Sequence, residues 1–166
     1  MTGTAAELIV RLATGADAAA IARHRAEMFR DMGELDEALH RPLVEATRRY
    51  VEQAIPTGRY VAWLASPAGR PSEVIAGAGM QFRDRIPRPD NRAGTVAGGV
   101  EGLIVNVYTE REWRRRGAAE LLMREAIRWS RANGVASLVL HASRDGRPLY
   151  ERLGFVPTNE MAYEGA

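Results

Sequence analysis

The sequence predicts an α/β fold in which a single mixed sheet carries helices on both faces. Apolar, strand-like runs such as Leu8–Leu12 and Tyr60–Ala65 alternate with longer segments of helical periodicity. Some neighbouring strands are joined by short loops and others by helices, so both antiparallel and parallel pairs are expected. The 166 residues, 46% of them hydrophobic, suffice for one domain with one core, and no linker or repeat divides residues 1–166.

Helix and turn signals define the elements of the first half. Thr14 is an N-cap residue for the first helix, and Gly33 ends it. Pro56 and Gly58 end the second helix, and a loop with two prolines and a glycine then joins two antiparallel strands. The predicted elements are a strand over 8–12, helices over 16–29 and 35–53, and strands over 60–65 and 74–82.

The second half begins with a segment that predicts a long exposed loop. Residues 83–99 contain two prolines, two aspartates, an asparagine and three glycines, a composition that disfavours regular structure. The elements predicted after it are a strand over 100–109, a helix over 118–131, a strand over 135–142, a short helix that ends at Gly154, and a last strand from Phe155 that extends to Tyr163. The predicted order is therefore β-α-α-β-β-β-α-β-α-β.

Composition excludes several classes of function. With no cysteine, the chain has no disulfide, thiolate metal site or cysteine nucleophile, and three scattered histidines give no metal-ligand spacing. All 23 basic residues are arginine, but the net charge is only +2, which is not typical of a nucleic-acid-binding surface. No apolar run approaches a membrane span and no signal pattern opens the chain, so we expect a cytoplasmic protein without membrane or nucleic-acid partners.

The turn between the strand over 100–109 and the following helix carries the strongest functional signal. Its sequence, Arg-Arg-Arg-Gly-Ala-Ala over 114–119, places a glycine at a strand-to-helix turn. The first turn of a helix offers unpaired N–H groups and the positive end of the helix dipole, which suit a phosphate group. This pattern predicts a cradle for a pyrophosphate, and the alternative is a turn of solvated arginines.

Two segments match the motifs of a known family. Residues 114–119 match the pattern Q/R-x-x-G-x-G/A, and Leu149–Phe155 match the pattern L-Y-x-x-x-G-F. From about Val100 to Val156 the chain resembles the GNAT superfamily of N-acetyltransferases, in particular its stand-alone bacterial members. The resemblance implies a mostly antiparallel sheet of six to seven strands with about four helices. It also implies direct acetyl transfer from acetyl-CoA to a primary amine of a small molecule or protein. The alternative within this family is a catalytically silent acyl-CoA-binding domain that acts as a sensor or scaffold.

The resemblance also implies roles for individual residues. Thr109 occupies the position that binds the pantetheine arm, and the Val107 N–H occupies the position that polarises the thioester carbonyl. Tyr150 occupies the position of the general acid that protonates the leaving thiolate. Ser143 stands where an asparagine often contacts CoA. The backbone N–H groups that would hold the pyrophosphate are those of Arg114, Arg115, Arg116, Gly117, Ala118 and Ala119.

The general base and the acceptor site are less well defined by sequence. Leu103 stands where some members carry a glutamate base, and Glu101 lies two residues earlier on the same strand face. Glu101 either acts through water or is a solvated strand-end charge. Met28 and Met32 sit where this fold lines its acceptor site, and are otherwise core residues. Arg25 lies on one stripe of the first helix with Ile21, Met28 and Phe29. Arg25 either pairs with an internal carboxylate such as Glu101 or binds an acidic group of the acceptor. The oligomeric state stays open and is compatible with a homodimer.

Overall fold

A computed structural model describes residues 7–164, and in this part of the chain a five-stranded sheet and four α-helices form the fold. The strands are β1 (Leu8–Leu12), β2 (Tyr60–Pro67), β3 (Ala76–Asp90), β4 (Thr95–Thr109) and β5 (Ser137–Leu140). The helices are α1 (Ala18–Met32), α2 (Glu37–Ala54), α3 (Ala118–Ala132) and α4 (Arg147–Arg152).

The sheet follows the order of the chain, β1-β2-β3-β4-β5. Every neighbouring pair is antiparallel except β4 and β5, which run parallel because α3 carries the chain back to the start of the sheet. The predicted α/β class and the mixed, mostly antiparallel sheet are therefore confirmed.

The predicted exposed loop over 83–99 is wrong. Strands β3 and β4 continue through it as one long hairpin, paired from Arg85↔Gly99 to Asp90↔Thr95. Two features allow prolines in this hairpin. Pro87 lies in the register shift between Arg85 and Arg88, and Pro89 lies beyond Gln81, where the pairing of β3 with β2 ends. A proline is tolerated in a strand where its missing N–H faces such a free edge.

The predicted last strand from Phe155 to Tyr163 is also wrong, and with it the count of six to seven strands. Residues 153–164 form no strand beside β5. Strand β5 spans only four residues, so it offers a short ladder to a neighbour, and Pro157 has no N–H to donate. The tail is instead held by Glu160, whose carboxylate lies 3.1 Å from both Arg83 and His141.

Two hydrophobic clusters cover the two faces of the sheet. Helices α1 and α2 bury Ile21 and Val51 against Leu64 of β2 on one face. Helix α3 buries Leu122 and Met123 on the other face, where they join a cluster with Trp63, Ile75 and Met80. Because each helix has one apolar stripe, the sheet is sandwiched between them.

Candidate active site

Strands β4 and β5 separate part-way along the sheet. They pair only from Glu101↔Ser137 to Ile104↔Leu140, whereas β4 continues to Thr109. We call Val105–Thr109 the open edge of β4, because no strand of the described chain adjoins it on the side away from β3, and we call the space beside that side the cleft. The Glu110 N–H donates to the carbonyl oxygen of Ile75, the residue before β3, so it points toward β3. Because N–H groups alternate along a strand, those of Thr109 and Val107 are expected to point the opposite way, toward the open edge.

A β-bulge lies at the start of the open edge. Gly77 pairs with Tyr108 and Gly79 with Val105, so Asn106 and Val107 both stand opposite Ala78. Asn106 has φ +57°, in the left-handed region where a non-glycine residue is uncommon. Bulges of this kind change the direction of a strand and the aim of its groups. The backbone therefore bends just where β4 leaves β5.

The side chain of Asn106 fixes the bulge to α1. Asn106 is only 7% exposed, and its Nδ2 donates to the carbonyl oxygen of Ile21 at 3.4 Å. Its Oδ1 is buried and has no hydrogen-bond partner in the described chain. Val107 instead packs on the opposite face with the α3 cluster, which also contains Tyr150.

The turn over 114–119, called the donor turn below, exposes a row of backbone N–H groups. Arg115 has φ +60° and Gly117 has φ +83°, and Gly117 is the N-cap of α3. An added Cβ at Gly117 would meet nothing within 4 Å, so glycine suits this position through its backbone conformation. Within residues 7–164 the N–H groups of 115–120 donate to no acceptor, which leaves a ready anion site at the helix N-terminus.

The three arginines of the donor turn have different surroundings. The guanidinium of Arg114 donates to Thr109 O at 3.0 Å and to Asp31, and Arg111 also binds Asp31. Partial burial alone would raise the pKa of Asp31, but these hydrogen bonds outweigh burial and lower the pKa. The side chain of Arg114 therefore ties the end of α1 to the donor turn. Arg115 and Arg116 stay exposed, and Arg116 lies over the ring of Trp113 at 5.0 Å.

Tyr150 lies on α4. It is 9% exposed, its ring is 6.2 Å from that of Phe155, and burial raises the pKa of its phenol. It lines a cavity of about 700 Å³ between α3, β5, α4 and the tail. Because its pKa is raised, the Tyr150 phenol keeps its proton at neutral pH.

Ser143 supports the start of α4, because its Oγ accepts a hydrogen bond from the Gly146 N–H at 3.1 Å.

Glu101 is held away from the open edge. Its carboxylate accepts hydrogen bonds from Arg83 at 2.5 Å and Ser137 at 2.8 Å, and Arg85 lies 3.6 Å away. Burial alone would raise the pKa of Glu101, but these contacts outweigh burial and lower the pKa. It precedes Val107 by roughly 18 Å along the strand. Its contacts are those of a structural ion pair rather than a base, and it does not pair with Arg25.

The predicted acceptor residues lie along α1. Arg25 and Met28 are half-buried, whereas Met32 at the end of the helix is 43% exposed. The guanidinium of Arg25 lies 4.9 Å from the centre of the Phe29 ring. Arg25 and Met28 thus face partly inward on α1, and Met32 lies at its exposed end.

His24 was not singled out by the sequence, yet it is the most buried titratable side chain near the open edge. It is 1% exposed, and its ring centre is 5.2 Å from that of Tyr108. Burial and the charge of Arg23 lower the pKa of His24 to about 4, although Glu110 at 3.4 Å opposes the shift. Its position on the inner stripe of α1, three residues after Ile21, is the signal that could have identified it.

Comparison with known proteins identifies the family. The sequence profile described as the Acetyltransferase (GNAT) family matches residues 22–155, well over half of the chain. The chain belongs to the GNAT acetyltransferase family. GNAT proteins transfer an acetyl group from acetyl-CoA to an acceptor, and the open edge and donor turn of this GNAT protein lie within the matched residues.

Solved structures of GNAT proteins share the fold over nearly the whole chain. A GCN5-related N-acetyltransferase from Ralstonia eutropha JMP134 is 29% identical with a TM-score of 0.81, and 95% of this chain and 97% of that chain are covered. A predicted acetyltransferase from Clostridium acetobutylicum, solved with acetyl-CoA, is 25% identical with a TM-score of 0.76, and 96% of each chain is covered.

More distant comparisons support the fold alone. A ribosomal-protein-alanine N-acetyltransferase from Brucella melitensis biovar Abortus 2308 is 20% identical with a TM-score of 0.63, and 96% of this chain and 100% of that chain are covered. No curated protein matches the sequence significantly. Over residues 7–164 there is no group of side chains suited to a metal ion, and no helix is long and apolar enough to cross a membrane.

Proposed function

We propose that this GNAT protein is an N-acetyltransferase that moves the acetyl group of acetyl-CoA directly onto a primary amine of a small molecule or protein. The observation that carries the proposal is the open edge of β4, which the pairing with β5 leaves free a few residues before the donor turn. Preorganised backbone donors of this kind suit an extended thioester at one end and a diphosphate at the other.

Acetyl-CoA fits the groups along the cleft. Its pyrophosphate would accept hydrogen bonds from the unpaired N–H groups of residues 115–119, with Arg115 and Arg116 adding charge. The pantetheine arm would lie beside Thr109 like a further strand. Arg114 would act through the shape of the turn, since Asp31 and Thr109 already occupy its guanidinium. Ser143 would contact CoA directly while its Oγ still accepts the hydrogen bond from the Gly146 N–H.

The chemistry follows from two of these groups. A neutral amine attacks the thioester carbonyl carbon, a C–N bond forms, and the C–S bond breaks. The Val107 N–H stabilises the negative charge that develops on the carbonyl oxygen. Tyr150 gives its proton to the departing thiolate, because burial keeps the phenol protonated at neutral pH, and the phenolate then regains a proton from solvent. The amine loses its proton to solvent, since Glu101 is committed to Arg83 and Ser137.

A silent acyl-CoA-binding domain is the second candidate, and one observation favours it. The carboxylate that the sequence offered as a base, Glu101, is held in ion pairs away from the open edge. Binding without turnover is the expected behaviour of such a domain.

The test is an acetyl-CoA turnover screen over amino acids, polyamines, aminoglycosides and peptides, read as release of the CoA thiol. Calorimetry with acetyl-CoA runs in parallel, and we expect binding in the micromolar range, about −8 kcal/mol. Binding together with turnover of at least one amine supports the proposal. Binding with no turnover supports the silent domain, and absence of binding contradicts both candidates.

A further inference from the structure

Arg25 is exceptional among the arginines of this protein. Across residues 7–164, every other arginine either lies within 4.0 Å of a carboxylate or is exposed to solvent. Arg25 alone is half-buried without a carboxylate partner. Removing a guanidinium from water without a counter-charge is unfavourable, so this position calls for an explanation.

Three carboxylates considered as partners for Arg25 are bound to other side chains. Glu27 binds Arg30 at 2.7 Å and His40 at 3.2 Å. Glu110 binds Arg23 at 2.6 Å. Glu101, the partner considered from the sequence, binds Arg83 and Arg85. The described protein therefore supplies no anion for Arg25, although arginine–carboxylate pairs form throughout the rest of the molecule.

Two aromatic side chains, Phe29 and Tyr60, lie near Arg25. Phe29 lies under the guanidinium at 4.9 Å, and such stacking holds the plane of an arginine. The charge of Arg25 lowers the pKa of Tyr60 against the larger effect of burial, which places the two groups within electrostatic range. The Tyr60 ring meets Tyr50 edge-on at 6.1 Å, and Gln81 Nε2 donates to the Tyr50 hydroxyl at 2.8 Å.

This site adjoins the point of acetyl transfer. Arg25 follows Ile21 by one helical turn, about 5.4 Å, and the Ile21 carbonyl binds Asn106 at the bulge. Val107 is the next residue along β4. An acceptor whose carboxylate and amine lie a few bonds apart can therefore reach Arg25 and the thioester at once.

We propose that Arg25 binds the carboxylate of the acceptor, so that the preferred substrates are amines with a nearby carboxylate, such as amino acids or short peptides. This inference rests on the proposed function and names its substrate class. The guanidinium fork matches a carboxylate bidentately. A phosphate carries up to two negative charges and would retain one beside this single unpaired cation, so the site favours a monoanion.

The test compares pairs of amines that differ only in the carboxylate. Each amino acid of a panel is assayed beside its amide, and kcat/KM is measured from CoA thiol release. For the wild type we expect kcat/KM to favour the amino acid by about 30-fold or more for at least one pair. Arg25→Gln is expected to reduce this preference to within a few-fold of unity, chiefly through KM for the amino acid. Arg25→Lys keeps the charge but not the fork, and we expect an intermediate preference.

The controls separate recognition from folding and from the proposed function itself. Arg49→Gln removes an exposed arginine of α2 and should preserve the preference, and melting temperatures are compared for all variants. A wild type that acetylates amides and amino acids equally, or an Arg25→Gln variant that keeps the preference, overturns the inference while the acetyltransferase proposal stands. If acetyl-CoA binds but no amine of either set is acetylated, the proposed function fails and the inference fails with it.

Discussion

The proposed donor and acceptor sides of the site are constructed differently. The proposed donor side is mainly backbone: the open edge of β4 and the N–H groups of the donor turn, which come from one continuous segment over 105–120. The proposed acceptor side is mainly side chains, with Arg25 and Phe29 of α1 beside Tyr60 of β2. A backbone site tolerates many side chains but requires particular φ values, whereas a side-chain site can change its ligand by single substitutions. The donor side is therefore readable from a short motif, and the acceptor side is not.

The largest expected effect separates chemistry from binding on the donor side. Tyr150→Phe removes the phenol proton but keeps the ring that packs near Phe155. We expect kcat to fall by about 100-fold with little change in KM for acetyl-CoA. Steady-state kinetics measures kcat and KM, calorimetry measures acetyl-CoA binding, and the melting temperature is the folding control. An unchanged kcat would assign the leaving-group proton to solvent.

The second prediction concerns the pH dependence of folding stability, which depends on His24 where α1 packs against the open edge. The pKa of His24 is lowered from 6.5 to about 4 in the fold, so between these values the unfolded chain binds a proton that the folded protein does not. Folding stability should therefore fall as the pH decreases through this window. The expected loss from His24 is about 2 kcal/mol between pH 7.5 and pH 5.

Urea unfolding at several pH values measures this loss. His24→Gln should flatten the stability curve between pH 7.5 and pH 5, whereas His141→Gln, at an exposed histidine, should leave its slope in place. Equal slopes for the wild type and His24→Gln would show that His24 is protonated as easily in the fold as in the unfolded chain.

The third prediction tests whether the donor turn depends on backbone conformation. Gly117→Val places a β-branched residue at φ +83°, which strains the turn and turns its N–H groups away from a phosphate. We expect acetyl-CoA affinity to fall by about 10-fold. Gly134→Val is the matched control, because Gly134 has φ +71° at the other end of α3 and also has open space at its Cβ. A similar loss of affinity in both variants would attribute the effect to α3 as a whole.

The smallest effect tests the link between the two sides. Asp31 of α1 binds Arg111 and Arg114 beside the donor turn, so Asp31→Asn weakens the contact that joins them. We expect KM for both acetyl-CoA and the amine to rise by about 3-fold, because an exposed ion pair contributes little by itself. Asp36→Asn is the control, since Asp36 caps α2 without touching the donor turn. A rise in only one KM would mean that the two sides are positioned independently.

Much of the fold could be predicted because its signals are local. The apolar run over 8–12, the N-cap and glycine signals of α1, and the motif over 114–119 each lie within a few residues. The hairpin over 83–99 could not be predicted, because its turn-forming residues indicate a loop. Their extended conformation depends on the pairing of β3 with β4, which is a contact between strands rather than a local signal. The missing last strand has the same origin, since a strand needs a neighbour as well as a composition.

The sequence by itself determined the α/β class, the family, and the position of the donor turn, because periodicity, caps and a glycine motif act over short distances along the chain. Only the tertiary structure decided the partners of the charged groups. It assigned Glu101 to Arg83, joined Arg114 to Asp31, buried His24, and left Arg25 without a carboxylate. These pairings join residues that are distant in sequence, and electrostatic interaction depends on separation and burial in space.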